Sequence, residues 1–443
     1  MEKRTQTNQT KYLWRTSLSS LLLLVLFLTQ TSLSAQNFKA AVAKADITPD
    51  NSQQLLGYGA RKSTGIHDRI YHRVAVLDDG KTRFVLVSSD ICEFSPSEYD
   101  IVAERLKKEL GIAPENFWWS VTHTHSAPEL GPAGLPDAFM PERYKHTYDK
   151  QYTADTEQKL VDAVKSAISR LEPARLSVGW GHSNANINRR ARDAQGRTYL
   201  GLNPDLPVDR RIGMLRLEKP DKTPIAIIAN YAMHGTVIGG QCTLISGDAP
   251  GVVSTYVEEK TGAMMLYING AAGNIAPIYS TQEGPGRLKE FERLLGDRII
   301  EANQKMTVST GEVSLKTGGD IVKTPRRDGL NWPDYMNKYT SKNSSGEWMV
   351  NLPVRFLRIN RDVAIWGAPL ELFCEVSNEV RDRSPFPYTF YYGYTNGWLG
   401  YLMTDEEIPY GGYETTVTPF KPGAATDLLN SVMSYMEGAM MKP

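Results

Sequence analysis

Apolar and polar positions along this chain follow two different periods. Short runs rich in Val, Ile, Phe and Trp read as strands, whereas longer stretches with apolar residues every three or four positions read as helices. Strands are expected over residues 38–45, 74–77, 84–88, 117–122, 175–178, 213–217, 225–232, 264–268 and 363–366. Helices are expected over 95–110, 154–171, 251–260, 287–305, 370–382 and 425–436, the first with Ser95 as cap and Gly111 as stop. This interleaving predicts the α/β (α+β mixed) class: a single large domain, a mixed sheet core flanked by helices, and an active site at strand C-terminal ends. No repeat of fixed period is visible. Residues 323–349, with Asn, Ser, Gly, Pro and several Lys, read as an exposed excursion from the core.

The first 35 residues stand outside this pattern. Lys3, Arg4, Lys11 and Arg15 precede an apolar run from Leu21 to Leu28, and small residues follow at Ser32, Ser34 and Ala35. That order predicts a signal peptide over residues 1–35, cleaved near Ala35, with residues 36–443 exported to the periplasm or the medium. The apolar run is shorter than the roughly 20 residues of a bilayer span; an uncleaved N-terminal anchor is the alternative. Fifty basic and fifty acidic residues cancel, so no electrostatic footprint for nucleic acid exists. Cys92, Cys242 and Cys374 are odd in number and widely spaced. They read as buried small hydrophobes rather than a disulfide framework or a thiolate zinc cluster.

Candidate chemistry begins where the apolar runs end. Phe117-Trp-Trp-Ser-Val121 leads into Thr122-His123-Thr124-His125-Ser126. Residues two apart on a strand share a face, so His123 and His125 would project together at its end. They are either ligands or acid/base groups, or hydrogen-bonded surface histidines. His234 closes the run that starts at Ile225, and a lone histidine there is as readily structural. Asp248 precedes a helix and reads first as its cap. The small-residue loop Asn269–Pro277 would either offer backbone N–H groups to a ligand or form a tight turn. Glu371 follows Gly367-Ala-Pro-Leu370 at a strand-to-helix junction, where the helix dipole alone would favour an acid. The Tyr391–Tyr401 segment is aromatic enough to be core or binding wall. Gly-x-Ser-x-Gly, His-Glu-x-x-His and the dinucleotide glycine fingerprint are all absent from the sequence, which lowers the serine-hydrolase, zincin and Rossmann readings.

Taken in order, these segments resemble the neutral/alkaline non-lysosomal ceramidase family. The resemblance runs from about Val42 to the last helix. It includes Gly57-Tyr58, Gly65-Ile66-His67, the Thr-His-Thr-His-Ser block, Ile187-Asn188-Arg189, Asn203-Pro204-Asp205, Ile245-Ser246-Gly247-Asp248, Gly367-Ala-Pro-x-Glu371 and Asn396–Tyr401 with Thr404-Asp405-Glu406-Glu407. It implies a Zn2+ ion bound by His123, His234, Glu371 and Tyr401, an N/N/O/O set with room for water. It also implies a proton-handling or oxyanion-binding His125, an anion-stabilising Arg189, and a carboxylate, Asp90 or Asp248, that orients a ligand histidine.

Three departures bear on substrate. The family's Gly-Asp-x-Ser-Pro block reads Gly273-Asn274-Ile275-Ala276-Pro277, so no serine nucleophile stands there. Family members commonly continue into an immunoglobulin-like C-terminal domain. The segment between Leu315 and Leu352 is shorter than in ceramide-cleaving relatives, and loops there would shape an acyl-chain pocket. The leading expectation is an exported zinc amidohydrolase acting on ceramide or another N-acylated amphiphile, with transient membrane-surface contact and no protein partner. A second keeps the zinc but takes a glycan-derived substrate, with Trp398, Tyr394, Tyr410 and Tyr413 as stacking platforms in an open cleft. A third is a binding protein without catalysis.

Overall fold

Hairpins followed by a helix and a parallel strand build the architecture, and the computed structural model describes residues 37–440. The expected signal peptide lies outside the described residues. Strands Tyr71–Asp78 and Arg83–Ser89 pair antiparallel, helix Pro96–Leu110 follows, and strand Phe117–Val121 adds parallel to Arg83–Ser89. The same order recurs with Arg211–Glu218, Pro224–Tyr231, helix Asp248–Thr261 and Met264–Asn269. It recurs again with Trp348–Ile359, Val363–Gly367, helix Cys374–Arg383 and Tyr388–Tyr392. Each hairpin is edged on its other side by an antiparallel strand: Lys39–Asp46, Arg175–His182 and Leu315–Pro325 respectively. The hairpins begin at residues 71, 211 and 348, spacings of 140 and 137 residues. The mixed core is therefore three sheets of one topology rather than one sheet. The repeat is invisible in sequence because it preserves apolar alternation and connectivity, not residue identity.

The three sheets turn one face each into a shared apolar core. Ala75, Leu77, Leu86 and Trp118 from the first meet Leu215, Leu217, Ile228 and Ile268 from the second and Leu357, Ile359, Ile365 and Phe390 from the third. The alternate residues face outward under helices, since side chains alternate across a strand. Val74, Val76, Val85 and Val87 pack with Val102, Leu106, Leu160 and Val164, and Ile227 and Met265 pack with Val253, Val257 and Ile299. Burial on both faces explains why these strands read as continuous apolar runs. At roughly 1.5–3 kcal/mol per fully buried Val, Leu or Ile side chain, this arrangement outweighs the weak local propensities of single residues.

Elements with apolar runs lie where expected. Two groups were missed: the polar hairpin of Asn186–Arg192 and Thr198–Asn203, which carries Asn and Arg, and most of the third sheet, namely Leu315–Pro325, Trp348–Ile359 and the aromatic Tyr388–Tyr392. The helix expected over 287–305 is regular only over Asp297–Lys305, after a π-helical turn at Glu292–Gly296. Residues 323–349 are not simply an exposed excursion. They hold the end of the long Leu315–Pro325 strand and a 3-10 turn, Asp334–Tyr339, whose Met336 and Tyr339 are buried in the core. Among the described residues no helix is long and apolar enough to cross a membrane, and all three cysteines are free and buried.

Candidate metal centre

Each sheet sends one loop from a strand's C-terminal end to the same point. The first delivers His123 two residues beyond Val121, in the left-handed backbone region (φ 62°) that non-glycine residues seldom occupy. The second delivers His234 beyond Tyr231, and the third delivers Glu371 beyond Gly367. Glu371 does not open a helix, as expected from its junction. It sits on a two-residue strand, Glu371–Leu372, in parallel register with Tyr401–Leu402, which sets Glu371 directly beside Tyr401. The helix begins only at Cys374.

Two glycines permit this convergence. A side chain on Gly235 would lie 2.7 Å from the His123 carbonyl oxygen, so only glycine lets the two histidine loops cross there. A side chain on Gly273 would lie 2.6 Å from the Glu371 carbonyl oxygen, and Gly273 N–H donates to Leu372 O at 2.8 Å. At Gly273 the small-residue loop thus serves close approach to another strand.

Atoms able to bind a metal meet from three residues. His123 Nδ1 donates to the Cys92 carbonyl at 2.8 Å, and His234 Nδ1 donates to the Ile275 carbonyl at 3.1 Å. Each histidine therefore turns its Nε2 toward Glu371 Oε2, at 3.4 and 3.0 Å. His123, His234 and Glu371 form a group able to hold a metal ion. Burial drives the His234 pKa down to about 3, with the Arg189 charge adding to it, so the imidazole is neutral as a ligand must be. Burial opposes ionisation of Glu371, but the facing His123 and His234 hold its carboxyl well below the usual range. Burial raises the Tyr401 phenol, with Arg189 acting in the opposite direction.

The remaining expected residues surround these. His125 Nε2 lies 3.2 Å from His123 Nε2, and its Nδ1 is buried without a partner. Arg189 donates through Nη1 to His234 Nε2 (2.8 Å) and through Nη2 to the Tyr401 hydroxyl (2.9 Å). Asp90 and Asp248 do not orient a ligand histidine. Asp90 pairs with Arg73 at 2.8 Å, and Asp248 accepts from the backbone of Val237, Ile238 and Ala249. The backbone carbonyls of Cys92 and Ile275 do that work instead.

Three residues that hold the site carry roles the sequence did not reveal. Trp398 Nε1 donates to Glu371 Oε1 at 2.9 Å, and the Tyr394 hydroxyl donates to Glu371 Oε2 at 3.3 Å while its ring stacks on His123. Both are buried, so neither is a stacking platform in an open cleft. Glu414, fully buried, accepts from Arg189 Nε (3.0 Å) and Arg190 Nη1 (2.6 Å). The adjacent Arg189-Arg190 pair was its only sequence signal: two buried guanidiniums require a carboxylate.

A cavity of about 380 Å³ opens beside His125, Arg189 and Tyr401, and Leu200, Leu202 and Ile278 give it an apolar side. Ala276 lines it, so the position of the family's serine does face this space. No residue between Leu315 and Leu352 lines it.

Comparisons with known proteins place the chain. The sequence model described as neutral/alkaline non-lysosomal ceramidase, N-terminal, matches residues 38–285. Neutral ceramidase A of Dictyostelium discoideum is 30% identical over 253 residues, covering 54% of this chain and 34% of that protein. A neutral ceramidase of Oryza sativa subsp. japonica is 25% identical over 346 residues, 73% of this chain and 42% of its own length. The chain thus spans well under half the length of these relatives. In fold it is similar to the crystal structure of neutral ceramidase from Pseudomonas aeruginosa, with a TM-score of 0.74 at 20% identity, covering 92% of this chain and 75% of that one. With the family's sequence model matching more than half of its residues, this chain belongs to the neutral/alkaline non-lysosomal ceramidase family.

Proposed function

We propose that this chain is an exported zinc-dependent amidohydrolase that cleaves the amide bond of ceramide or another N-acylated amphiphile. The observation that carries the reading is the meeting of two imidazole nitrogens and one carboxylate oxygen beside a cavity with an apolar side. His123, His234, Glu371 and Tyr401 would hold the ion; two nitrogens and two oxygens suit zinc with a position left for water. A bound zinc ion supplies Lewis-acid activation of water and of the scissile carbonyl.

The chain's own residues do the rest. Arg189, already directed at the Tyr401 oxygen, carries the positive charge that stabilises the developing oxyanion. His125, neutral because burial and the neighbouring histidines push its pKa well down, accepts a proton from the attacking water and passes it to the departing nitrogen. Water adds to the carbonyl carbon, the C–N bond breaks, and a carboxylate and an amine leave. No serine is required, which accommodates Ala276. Leu200 and Leu202, both about half exposed at the cavity, give an acyl chain an apolar lip, and burial of Trp398 and Tyr394 weakens the glycan alternative.

The test is metal analysis of the purified protein followed by assay against N-acyl sphingoid bases and glycan fragments. Stoichiometric zinc and amide cleavage abolished by chelation and restored by zinc are expected. Undiminished turnover after complete demetallation would sink the reading. Sequencing the N-terminus of exported protein checks cleavage near Ala35.

A further inference from the structure

A second cavity, of about 330 Å³, lies between helix Pro96–Leu110 and the long hairpin of Leu315–Pro325 and Trp348–Ile359. Its volume falls within the range of small-molecule sites. The hairpin register explains its lining. Ile321 pairs with Pro353, Lys323 with Asn351 and Gly319 with Arg355, so these residues share one face. The alternate residues Val322, Leu352 and Val354 face the opposite way into the core with Leu428 and Val432.

Charge on that lining is unbalanced. Lys338 is neutralised by Asp100 at 2.6 Å. Among the described residues, no carboxylate lies within ion-pair distance of Lys323 or Arg355. Arg355 sits beside the Tyr99 hydroxyl, and its Nε is buried with no hydrogen-bond partner. A guanidinium donor withdrawn from water without an acceptor is costly, and an anion is the group that satisfies it. Beside the two cations Ile321, Pro353, Tyr99 and Tyr339 give the cavity an apolar and aromatic side, while Asn351 and the Lys338-paired Asp100 add polar groups.

We infer that this cavity binds a small anionic amphiphile, its carboxylate or phosphate head on Arg355 and Lys323 and its apolar body against Ile321, Pro353 and Tyr99. The site is distinct from the metal centre and does not depend on the amidohydrolase reading. Its floor is nevertheless the back of the loops that hold Glu371: Pro369, Thr395 and Asn396 line it. Asn396 is bonded through Oδ1 and N–H to the backbone of Trp119.

Calorimetric titration of the whole protein with decanoate, decyl phosphate, decanol and acetate tests this. Saturable one-to-one binding of decanoate or decyl phosphate is expected, and the tighter of the two identifies the head group. Decanol and acetate should each bind at least about tenfold more weakly, since each lacks one half of the recognition. Arg355→Gln and the surface variant Lys323→Gln should each weaken the anion by about tenfold or more, and chelation of metal should leave it unchanged. Absence of binding by both anions would overturn the inference. So would equal binding by decanol, undiminished binding in both variants, or loss of binding on chelation, which would move the probe to the metal centre.

Discussion

The two halves of the candidate metal centre are aimed by different means. The histidine half rests on main chain: His123 and His234 each stand two or three residues past a strand and donate to a backbone carbonyl. The acid and phenol half rests on side chains. Glu371 and Tyr401 lie on two-residue strands, gripped by Trp398, Tyr394 and Arg189, with Glu414 behind. Backbone acceptors cannot be removed by substitution, so the first half is robust to change nearby. The second half is open to tuning by any residue in its shell.

The strongest way to break this comparison is to delete the donors themselves. His123→Ala or His234→Ala is expected to abolish both bound zinc and amide cleavage, read by metal analysis and by turnover; a variant that kept full metal would remove that histidine from the ligand set. Next comes Glu414→Gln, which leaves Arg189 and Arg190 without their buried carboxylate. A loss of about 3–5 kcal/mol is expected, measured as a shift in the denaturant midpoint. A loss below 1 kcal/mol would mean the guanidiniums find other partners.

His72 offers an internal control for the histidine half. It too is fully buried and bonds to a backbone carbonyl, of Thr156 at 3.1 Å, but its Nδ1 is taken by Ser89 Oγ at 2.6 Å. Burial lowers its pKa from 6.5 to about 4, so the unfolded chain takes up the proton first. Its contribution to stability is complete above about pH 6.5 and is lost as the pH falls through about 4, by about 3 kcal/mol in all. His72→Gln should flatten stability against pH in that window; an unchanged slope would assign the acid limb elsewhere. Smaller still, Trp398→Phe removes one bond to Glu371 and should weaken zinc by about 10–100-fold, read by competition with a chelator. Ala276→Ser is expected to change turnover least, because in the proposed mechanism water rather than a hydroxyl attacks. A large gain in ceramide cleavage would show that the missing serine had been limiting.

That contrast also decides how much of the site was legible. His123, His125 and His234 follow apolar runs, which marked them as candidates, but the strand period expected to aim His123 and His125 stops at Val121, and the left-handed turn at His123 aims it instead. Glu371 stood out as an acid just past the apolar run 363–366, but its junction read equally as a helix start; Tyr401 follows no such run, and only the family resemblance gave either a ligand role. Trp398 and Tyr394 look alike as platform or as buried donor, since an aromatic sequence does not say whether its N–H or O–H meets a carboxylate. Asp90 and Asp248 were drawn toward the histidines because they carry charge, whereas uncharged carbonyls hold the rings. The strand positions of the first two sheets were largely legible from apolar runs, whereas in the third only 363–366 was; the division into three sheets was not legible, because an apolar run says that a side is buried and not against what.

That division has a consequence for the ion itself. His123, His234 and Glu371 come from three different sheets, more than a hundred residues apart in the chain. A cation shared by all three is a cross-link closing two very long loops, and the entropy of closing such loops is what it would remove from the unfolded chain. Stripping it should therefore leave the apolar centre standing while the rim between the sheets frays, so that limited proteolysis begins at the loops after Val121, Tyr231 and Gly367.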